Sequence, residues 1–503
     1  MMSEFLTLLC NLYIVGLTVV PPLFTGGSWE QLGDRKYALF WNISLFCLAI
    51  RLLALLPEVK GMLSVKRKGI GGIRPGIMDV VMLMYGTSVL LSAGLSQWQH
   101  TAWYGYREWY MGAFSQLLFV GIYFFVSRHY GGDKYVVRLA EAGFFVVLLF
   151  GLLQRLGADP LGLTKGMDIR HWDYSHMLST IGNISWFTGY CAMALIFPLS
   201  GYLRCRDAKE RRWLYPVCLC GLMLLLTQGS DTGVLLGAVS FGVCLVWGLR
   251  QEKIPGRLFG LWAGVCLLIP LYGNLAKSLG ERAVFSFPLD GIGLKHLGWW
   301  GWWIAAACFL FLWALFTYAE KRNHKGLLRL LPILTLTSFC MAIAAVGVYF
   351  LLNQPDGALW GNGRGMLWKI SVEGFLKKDF WEKMIGAGPD CFAEYIYGVF
   401  PPEAFPALEG KWQDAVFANA HNEWLNQLIN VGIMGTGSYL AIFLVGLGRY
   451  RNFLPGVLAL ILYLTASLTG FQQVLSTPFL FLILGVCEAR RRRKQQEDFY
   501  GNI

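Results

Sequence analysis

Long apolar runs separated by short polar segments dominate the chain. A membrane span needs about 20 mostly apolar residues, and lipid offers no hydrogen-bonding partner to an open strand, so each run predicts a helix. The pattern therefore predicts an all-α, polytopic integral membrane protein with about fourteen transmembrane helices. These lie at 5–24, 37–56, 76–95, 110–127, 138–156, 186–203, 213–228, 232–248, 257–275, 298–318, 331–352, 425–448, 455–470 and 474–489.

The loop charges predict how these helices are oriented. If the N-terminus is cytoplasmic, every long loop on the inside is basic, while the outside loops are slightly acidic in sum. This is the distribution that the positive-inside rule requires, and both termini are then cytoplasmic. The composition, with 55% hydrophobic and 15% charged residues and a net charge of +12, departs from that of soluble domains, which carry about 25% charged residues. The excess of cations thus indicates orientation in a lipid bilayer, and no nucleic-acid partner is expected.

Four segments follow from this topology. We expect transmembrane helices 1 to 11 in residues 1–352, an extracytoplasmic loop with short helices in 353–424, helices 12 to 14 in 425–489, and a basic cytoplasmic tail in 490–503. A loop as long as 353–424 is usually functional or disordered, and its content of Trp, Phe and Pro argues against disorder.

The predicted membrane interior lacks the ionisable residues that carriers and pumps place at mid-depth. Asp79 and Glu141 lie near the inner boundary and Arg155 near the outer one. Only Cys391 of the twelve cysteines falls in an outside loop, so an exterior disulfide framework is not expected. The pattern disfavours an ion-coupled transporter, leaves a flippase with a polar cavity open, and predicts that any chemistry takes place at the outer face.

Tryptophan is distributed unevenly between the two predicted faces. An interfacial belt is roughly symmetric, yet more than half of the twenty Trp residues lie in outside loops or at outer helix ends. Most of them suit the belt and loop packing. The excess on one side suggests a flat-faced ligand such as a sugar ring, whose C–H groups pack on aromatic faces.

A short helix is predicted at 362–384 within the long outer loop. Trp368, Val372 and Phe375 recur at helical spacing, and Arg364 extends the same face by one turn. Such a helix can lie on the membrane surface with Arg364 reaching lipid headgroups, or it can direct the guanidinium towards a ligand. Both interpretations stay open from the residues alone.

His421 stands where the twelfth predicted span leaves the outer interface. A helix N-terminus disfavours the imidazolium form, so the ring is expected to be neutral and able to accept a proton. A capping or interface histidine is the alternative. The Gly386-Ala387-Gly388 segment before it predicts a turn.

A group of acidic and histidine side chains, Asp168, His171, Asp173 and His176, lies in another outside loop. Side chains of this kind can bind a divalent cation. No helix is predicted to align them, and solvation or hydrogen bonds to sugar account for them equally well. We therefore expect no metal site and no cofactor.

Several short strings follow one another in a distinctive order along the chain. They are STIGN at 179–183, LLTQGS at 225–230, NGRGMLW at 362–368, GAG at 386–388 and AHNEWLNQLINVGIMG at 420–435. Their order resembles the O-antigen ligase and O-antigen polymerase superfamily of bacterial membrane glycosyltransferases. The resemblance spans roughly residues 100–488, and its most specific part is the histidine string that follows the arginine string.

The resemblance implies an enzyme of the bacterial inner membrane whose active site faces outside. Such enzymes transfer a glycan from a polyprenyl (undecaprenyl) diphosphate carrier to a hydroxyl of a glycan, lipid or protein acceptor, with inversion and without a metal. By this resemblance Arg364 holds the diphosphate, and His421 is the base for the acceptor hydroxyl or a second diphosphate contact. Asn422 orients the acceptor or the ring, and Trp368 and Asn183 are further substrate-binding candidates.

One position departs from the family pattern. Many relatives carry an arginine after the threonine of the seventh span, whereas this chain has Asp231 there. A second cation for the diphosphate must then come from elsewhere, and Arg107 is the first candidate, with a local pair to Glu108 as its alternative interpretation. Weaker candidates are Arg155, Arg170 and Arg282.

Two other functions remain possible at this stage. The many spans and outer cations also suit a flippase for lipid-linked oligosaccharides, and Asp231 suits a non-catalytic assembly partner. Among transferases, polymerisation of a surface polysaccharide is slightly favoured over ligation because the chain has no soluble domain for a protein acceptor.

Overall fold

A computed structural model describes residues 2–26, 31–64, 75–249, 251, 254–285, 298–352, 363–401 and 416–500. Nearly all regular structure in these ranges is helical, with one short antiparallel pair of strands, β1 (Met177–Leu178) and β2 (Gly182–Asn183), in which Met177 lies opposite Asn183. Parts of the predicted outer loop, 353–362 and 402–415, lie outside the described residues.

Twenty helices are numbered in chain order. They are α1 (Met2–Leu23), α2 (Leu32–Ser64), α3 (Ile77–Leu95), α4 (Gln99–Tyr104), α5 (Ala113–His129), α6 (Lys134–Arg155), α7 (Trp172–His176), α8 (Ile184–Ala194), α9 (Ile196–Arg204), α10 (Ala208–Thr227), α11 (Asp231–Gly248), α12 (Ile254–Ser278), α13 (Gly298–Lys321), α14 (Lys325–Leu352), α15 (Arg364–Lys377), α16 (Phe380–Ile385), α17 (Phe392–Val399), α18 (Glu423–Arg449), α19 (Leu454–Ser467) and α20 (Thr477–Tyr500).

The protein is an all-α polytopic membrane protein. In the described part of the chain, ten helical segments are long and apolar enough to cross a membrane, with α8 and α9 forming one of them. Each of the fourteen predicted spans coincides with a helix, but α5 and α19 are shorter than this limit, and α10 and α20 carry charged ends. The total of fourteen spans therefore stays a prediction.

Apolar side chains are buried between helices and also exposed on the outside of the bundle. Helix α3 packs against α18, α5 against α20, and α1 against α2 and α6. Phe311 and Met341, on α13 and α14, are among the large apolar side chains that remain exposed. Large apolar surfaces of this kind are costly in water and are favourable against lipid tails.

Ion pairs join four helices at one end of the bundle. Asp79 at the start of α3 lies 3.4 Å from Arg128 of α5 and 2.6 Å from Arg492 of α20. Arg449 at the end of α18 donates two hydrogen bonds of 2.6 and 2.7 Å to Glu488. The start of α3 and the C-terminal parts of α5, α18 and α20 thus meet at one end of the bundle.

The predicted helix at 362–384 is divided into α15 and α16. Lys378 takes an extended conformation, and the Asp379 side chain accepts a hydrogen bond from the Glu382 amide at 2.7 Å. Glu382 in turn accepts from the Asp379 amide, which completes a capping box. The apolar periodicity continues across this cap, so the sequence pattern did not predict the boundary between the two helices. Beyond it, the basic segment predicted as a tail continues α20 to Tyr500.

Helix α18 is broken at Gly432, which has φ 65° and ψ −168°. The outer loop fills the break: the amide of Ala387 donates to the Ile429 carbonyl at 3.0 Å, and that of Gly388 donates to the Asn430 carbonyl at 2.8 Å. Ser92 of α3 adds a hydrogen bond of 2.9 Å to the same Asn430 carbonyl. The predicted glycine turn is thereby fixed against two long helices.

We expect Gly432→Ala to destabilise the protein by about 2 kcal/mol or more, since this backbone region costs a residue other than glycine about 1–3 kcal/mol. A Cβ at position 432 would also lie 2.6 Å from the backbone of Met384 and Gly386. The midpoint of thermal unfolding in detergent measures the effect. Gly437→Ala is the control, because its Cβ meets no atom within 4 Å; equal midpoints for the two variants would contradict the prediction.

Candidate functional site

A pocket of about 500 Å³ lies where the ends of α8, α11, α18 and α19 meet the start of α15 and the 468–476 link. These helix ends are the ones that the predicted topology places at the outer face. Hydroxyl side chains form much of the wall, among them Ser185, Thr188 and Thr232. Arg364 and Glu423 are the charged residues in the described part of its lining.

Arg364 is the first residue of α15 and follows Gly363, whose φ of 90° turns the chain into the helix. The side chain is half-buried, yet within the described ranges it has no hydrogen-bonding partner. Burial lowers the pKa of Arg364, while the nearby carboxylate of Asp231 acts in the opposite direction. The pocket therefore contains a partly desolvated guanidinium whose donors are available to an anionic ligand.

His421 lies beside this cation. Burial and then the positive charge of Arg364 lower the pKa of His421 to about 4. The ring packs edge-on against Phe471, which lines the pocket, with 5.4 Å between centroids. The predicted neutral imidazole thus has a different main cause from the helix N-terminus, namely desolvation.

The backbone around His421 holds it out of the helix. Its φ of 46° is left-handed, and its amide donates a 3.0 Å hydrogen bond to the Asn419 side chain. Asn422 then caps α18 by accepting from the amides of Trp424 and Leu425, and it donates to the carbonyl of Leu468 at 3.1 Å. Asn422, which we predicted to bind substrate, is thereby engaged in fixing the helix that carries His421.

Asn183 has a similar local role. Its side chain accepts a 2.8 Å hydrogen bond from the Ser185 amide and caps α8, whose first turn contributes to the pocket. Trp368 lies one helical turn after Arg364 and is half-buried. Of these two predicted substrate-binding residues, Asn183 thus holds the start of α8, which forms part of the pocket wall. Trp368 lies on the same face of α15 as Arg364.

Arg107 is brought near the pocket without lining its described wall. The side chain is exposed, and two residues later the Trp109 ring packs against Phe471 at 4.6 Å and against Trp186 at 6.1 Å. Phe471 is also the ring that contacts His421. The loop that carries Arg107 therefore forms part of the rim, and Arg107 projects to solvent.

Asp231 and Arg155 lie next to pocket residues without belonging to the described lining. Asp231 is exposed at the start of α11, between Ser230 and Thr232 of the pocket, and its charge acts on Arg364. Arg155 is buried and donates to the backbone carbonyls of Ser175 and Gln228 at 3.0 and 2.8 Å. Arg155 thus supports the turn before Asp231. The other weak candidates, Arg170 and Arg282, are exposed.

Glu423 is a pocket residue that the sequence analysis did not identify as part of the site. It is buried and accepts hydrogen bonds from the hydroxyls of Tyr439 at 2.5 Å and Tyr463 at 3.2 Å. The hydroxyls of Tyr463 and Thr477 are 2.8 Å apart. Its position two residues after His421 could have indicated that it belongs to the site. The tyrosines that bind it are distant in sequence, so its burial could not be predicted.

The acidic and histidine loop is held by local contacts. His171 Nδ1 lies 3.0 Å from the Asp173 carboxylate, Asp168 accepts from the Arg170 amide at 2.9 Å, and His176 pairs with the hydroxyl of Ser175 at 2.9 Å. Across the described ranges, no group of three or more His, Cys, Asp or Glu side chains is placed to hold a metal ion.

The buried carboxyl of Asp390 joins the loop that carries Arg107 to the segment between α16 and α17. Asp390 accepts hydrogen bonds from the amides of Tyr106 at 2.7 Å and Met111 at 2.9 Å. Burial raises the pKa of Asp390 to about 7, although both hydrogen bonds oppose the increase. The loop that carries Arg107 is therefore attached through a group that titrates near neutral pH.

No protein-family model matches the chain, and no curated protein matches it.

We expect Asp390→Asn to make the protein's stability less dependent on pH. A carboxyl with a raised folded-state pKa contributes stability that is present below its unfolded pKa and is lost as the pH rises towards about 7. The slope for one such group is at most about 1.4 kcal/mol per pH unit. An Asn oxygen can accept the same two hydrogen bonds without titrating.

Apparent unfolding midpoints between pH 5 and 8 measure this difference. Asp168→Asn, an Asp-to-Asn change at an exposed position, should keep the wild-type dependence. An unchanged pH dependence in Asp390→Asn would show that this carboxyl does not titrate in the range.

Proposed function

We propose that the protein transfers a glycan from an undecaprenyl diphosphate carrier to an acceptor hydroxyl at the outer face of the bacterial inner membrane. It would act as a surface-polysaccharide polymerase or an O-antigen ligase-like enzyme. The observation that carries this proposal is Arg364, a half-buried pocket cation without a hydrogen-bonding partner in the described structure, whose charge acts on His421 behind the pocket residue Phe471.

Diphosphate chemistry suits Arg364. A guanidinium stays charged and can donate two parallel hydrogen bonds to phosphate oxygens. Negative charge develops on the diphosphate as the bond to the sugar breaks, and a preorganised cation in a partly desolvated pocket stabilises that charge. Hydroxyl groups such as those of Ser185, Thr188 and Thr232 provide donors and acceptors for the sugar.

His421 is the proposed base. The acceptor oxygen attacks the anomeric carbon and gives its proton to the imidazole, while the carbon–oxygen bond to the diphosphate breaks and the diphosphate leaves with the electron pair. A single displacement inverts the anomeric centre and uses neither metal nor cofactor. With a pKa of about 4 the empty-pocket histidine is a weak base. A bound diphosphate would offset the charge of Arg364 and make the ring more basic.

The position of the pocket favours transfer over flipping. A flippase needs a polar path through the bundle, whereas this pocket reaches from Ser185 at the start of α8 only as far as Met193, about halfway along the Ile184–Arg204 span. Glu423 also lines the pocket, where it accepts hydrogen bonds from the hydroxyls of Tyr439 and Tyr463. We infer that it holds the α18 end in place during the reaction.

We expect Arg364→Ala and His421→Ala each to reduce glycan transfer at least about 100-fold, the cost of removing a single charge-stabilising or proton-accepting group. The assay uses purified protein and purified lipid-linked donor. Arg170→Ala, which changes an exposed arginine outside the pocket lining, should retain the wild-type rate. Wild-type rates in both pocket variants would overturn the proposal.

The pH dependence provides a separate test. Because kcat/KM reports the free enzyme, we expect its acidic limb near pH 4, where the free His421 titrates. The limb in kcat reports the donor complex and should lie at higher pH. A kcat/KM limb near 6.5, the ordinary value for histidine, would contradict the assignment of His421 as the base.

A further inference from the structure

A second cavity lies at the opposite end of the bundle. Ser185 and Thr188, at the start of α8, line the glycan pocket, whereas Arg204 ends α9 in the same membrane span. Around that end is an open cavity of about 1130 Å³. The predicted topology places it at the cytoplasmic surface, where the α9–α10 connection and the start of α12 meet.

Arginine is the main polar component of this cavity. Arg204, Arg206, Arg211 and Arg257 all line it, and none of the residues in its described lining is acidic. Arg211 and Arg257 repel each other, and Arg490 of α20 adds a repulsive charge near Arg204. Like charges at this density are unfavourable unless an anion binds among them.

The neighbouring carboxylates are engaged elsewhere or lie outside the lining. Glu210 is 3.5 Å from Arg138 and accepts from the Cys205 thiol at 3.2 Å. Asp207 caps α10 through the Lys209 amide at 2.9 Å. Glu320 attracts Arg257 but does not line the cavity. Among the residues that the structure describes, the positive charge of the cavity is therefore only partly compensated.

One arginine also builds the cavity. Arg257 donates to the carbonyls of Leu203 and Cys205 at 2.7 and 2.9 Å, so it holds the end of α9 against α12. Arg206 is exposed and Arg211 is half-buried, and both are free of such backbone bonds in the described structure. These two can therefore turn towards a ligand.

Apolar side chains place the cavity at the level of lipid headgroups. Trp213, two residues after Arg211, is 39% exposed, and Leu249, close to the start of α12, is 44% exposed. Trp213 packs edge-on against Phe145 of α6 and does not line the cavity, but an exposed Trp in the first turns of a spanning helix is typical of the depth of the membrane interface. A ligand in this cavity can thus bring a phosphate to the arginines and acyl chains to the adjoining apolar surface.

We propose that this cavity binds the phosphate headgroup of an anionic glycerophospholipid from the cytoplasmic leaflet. Arginine suits phosphate oxygens through paired donors, and basic pockets between helix ends on this side recognise anionic headgroups. The inference goes beyond the proposed function and does not depend on it, because the two cavities lie at opposite ends of the bundle.

The test is lipid binding to the purified full-length protein by native mass spectrometry. Phosphatidylglycerol and phosphatidylcholine with identical acyl chains are titrated, with free glycerol phosphate as a competitor. We expect phosphatidylglycerol to bind more tightly than phosphatidylcholine. Replacing Arg206 and Arg211 by Gln should weaken phosphatidylglycerol about 30-fold, roughly fivefold for each cation near an anionic headgroup, and should leave phosphatidylcholine unchanged.

The double variant Lys209→Gln with Arg212→Gln is the control, since it removes two charges from the same helix outside the cavity lining. It should retain phosphatidylglycerol binding within about twofold. An equal loss of phosphatidylglycerol binding in the two double variants, or no preference of the wild type for phosphatidylglycerol over phosphatidylcholine, would overturn the proposal. Displacement by equimolar glycerol phosphate would instead identify a soluble phosphate as the ligand and overturn the lipid assignment. If the double variant at Arg206 and Arg211 is unstable, the single variant Arg206→Gln, at an exposed position, repeats the test.

Discussion

The fold of the outer face depends on the backbone break in α18. A membrane helix can be interrupted only where other groups bind its free carbonyls, because lipid cannot. Here the carbonyls of Ile429 and Asn430 accept from the glycine turn and from Ser92. This requirement draws the outer loop onto α18 and α3, and so it places α15, which carries Arg364, near the helix that follows His421.

The sequence was most informative where one physical signal acts alone. Apolar runs predicted a helix at every span, and the NGRGMLW and AHNEWLNQ strings identified two residues that the fold brings into electrostatic range. The division of α15 from α16 was missed because the capping box around Asp379 is a local signal that competes with periodicity. Which residues share the pocket wall, such as Thr188 and Thr469, depends on helix packing and could not be read from spacing.

Electrostatics explains the remaining differences. Asp231 was noted as a departure from a basic position, and its carboxylate acts on Arg364, an interaction that the sequence analysis did not predict. Glu423 is buried with two tyrosine hydroxyls rather than with a cation in the described part of the chain. Among the described residues the pocket has one cation, Arg364, with the carboxyl groups of Asp231 and Glu423 nearby, so these charges do not attract anions over long distances. Binding of a diphosphate there would depend on close, directional contacts with the guanidinium.

The ion pairs at the other end of the bundle bear on how the protein is made. Asp79 belongs to α3, whereas its partner Arg492 lies in α20, 413 residues later in the chain. The pair can therefore form only after the segments between them have been made and both helices have been inserted with these ends on the same side. If α20 were inserted in the opposite direction, Asp79 would lose Arg492 and Glu488 would lose Arg449, whereas the pair of Glu488 with Arg492 inside α20 would persist.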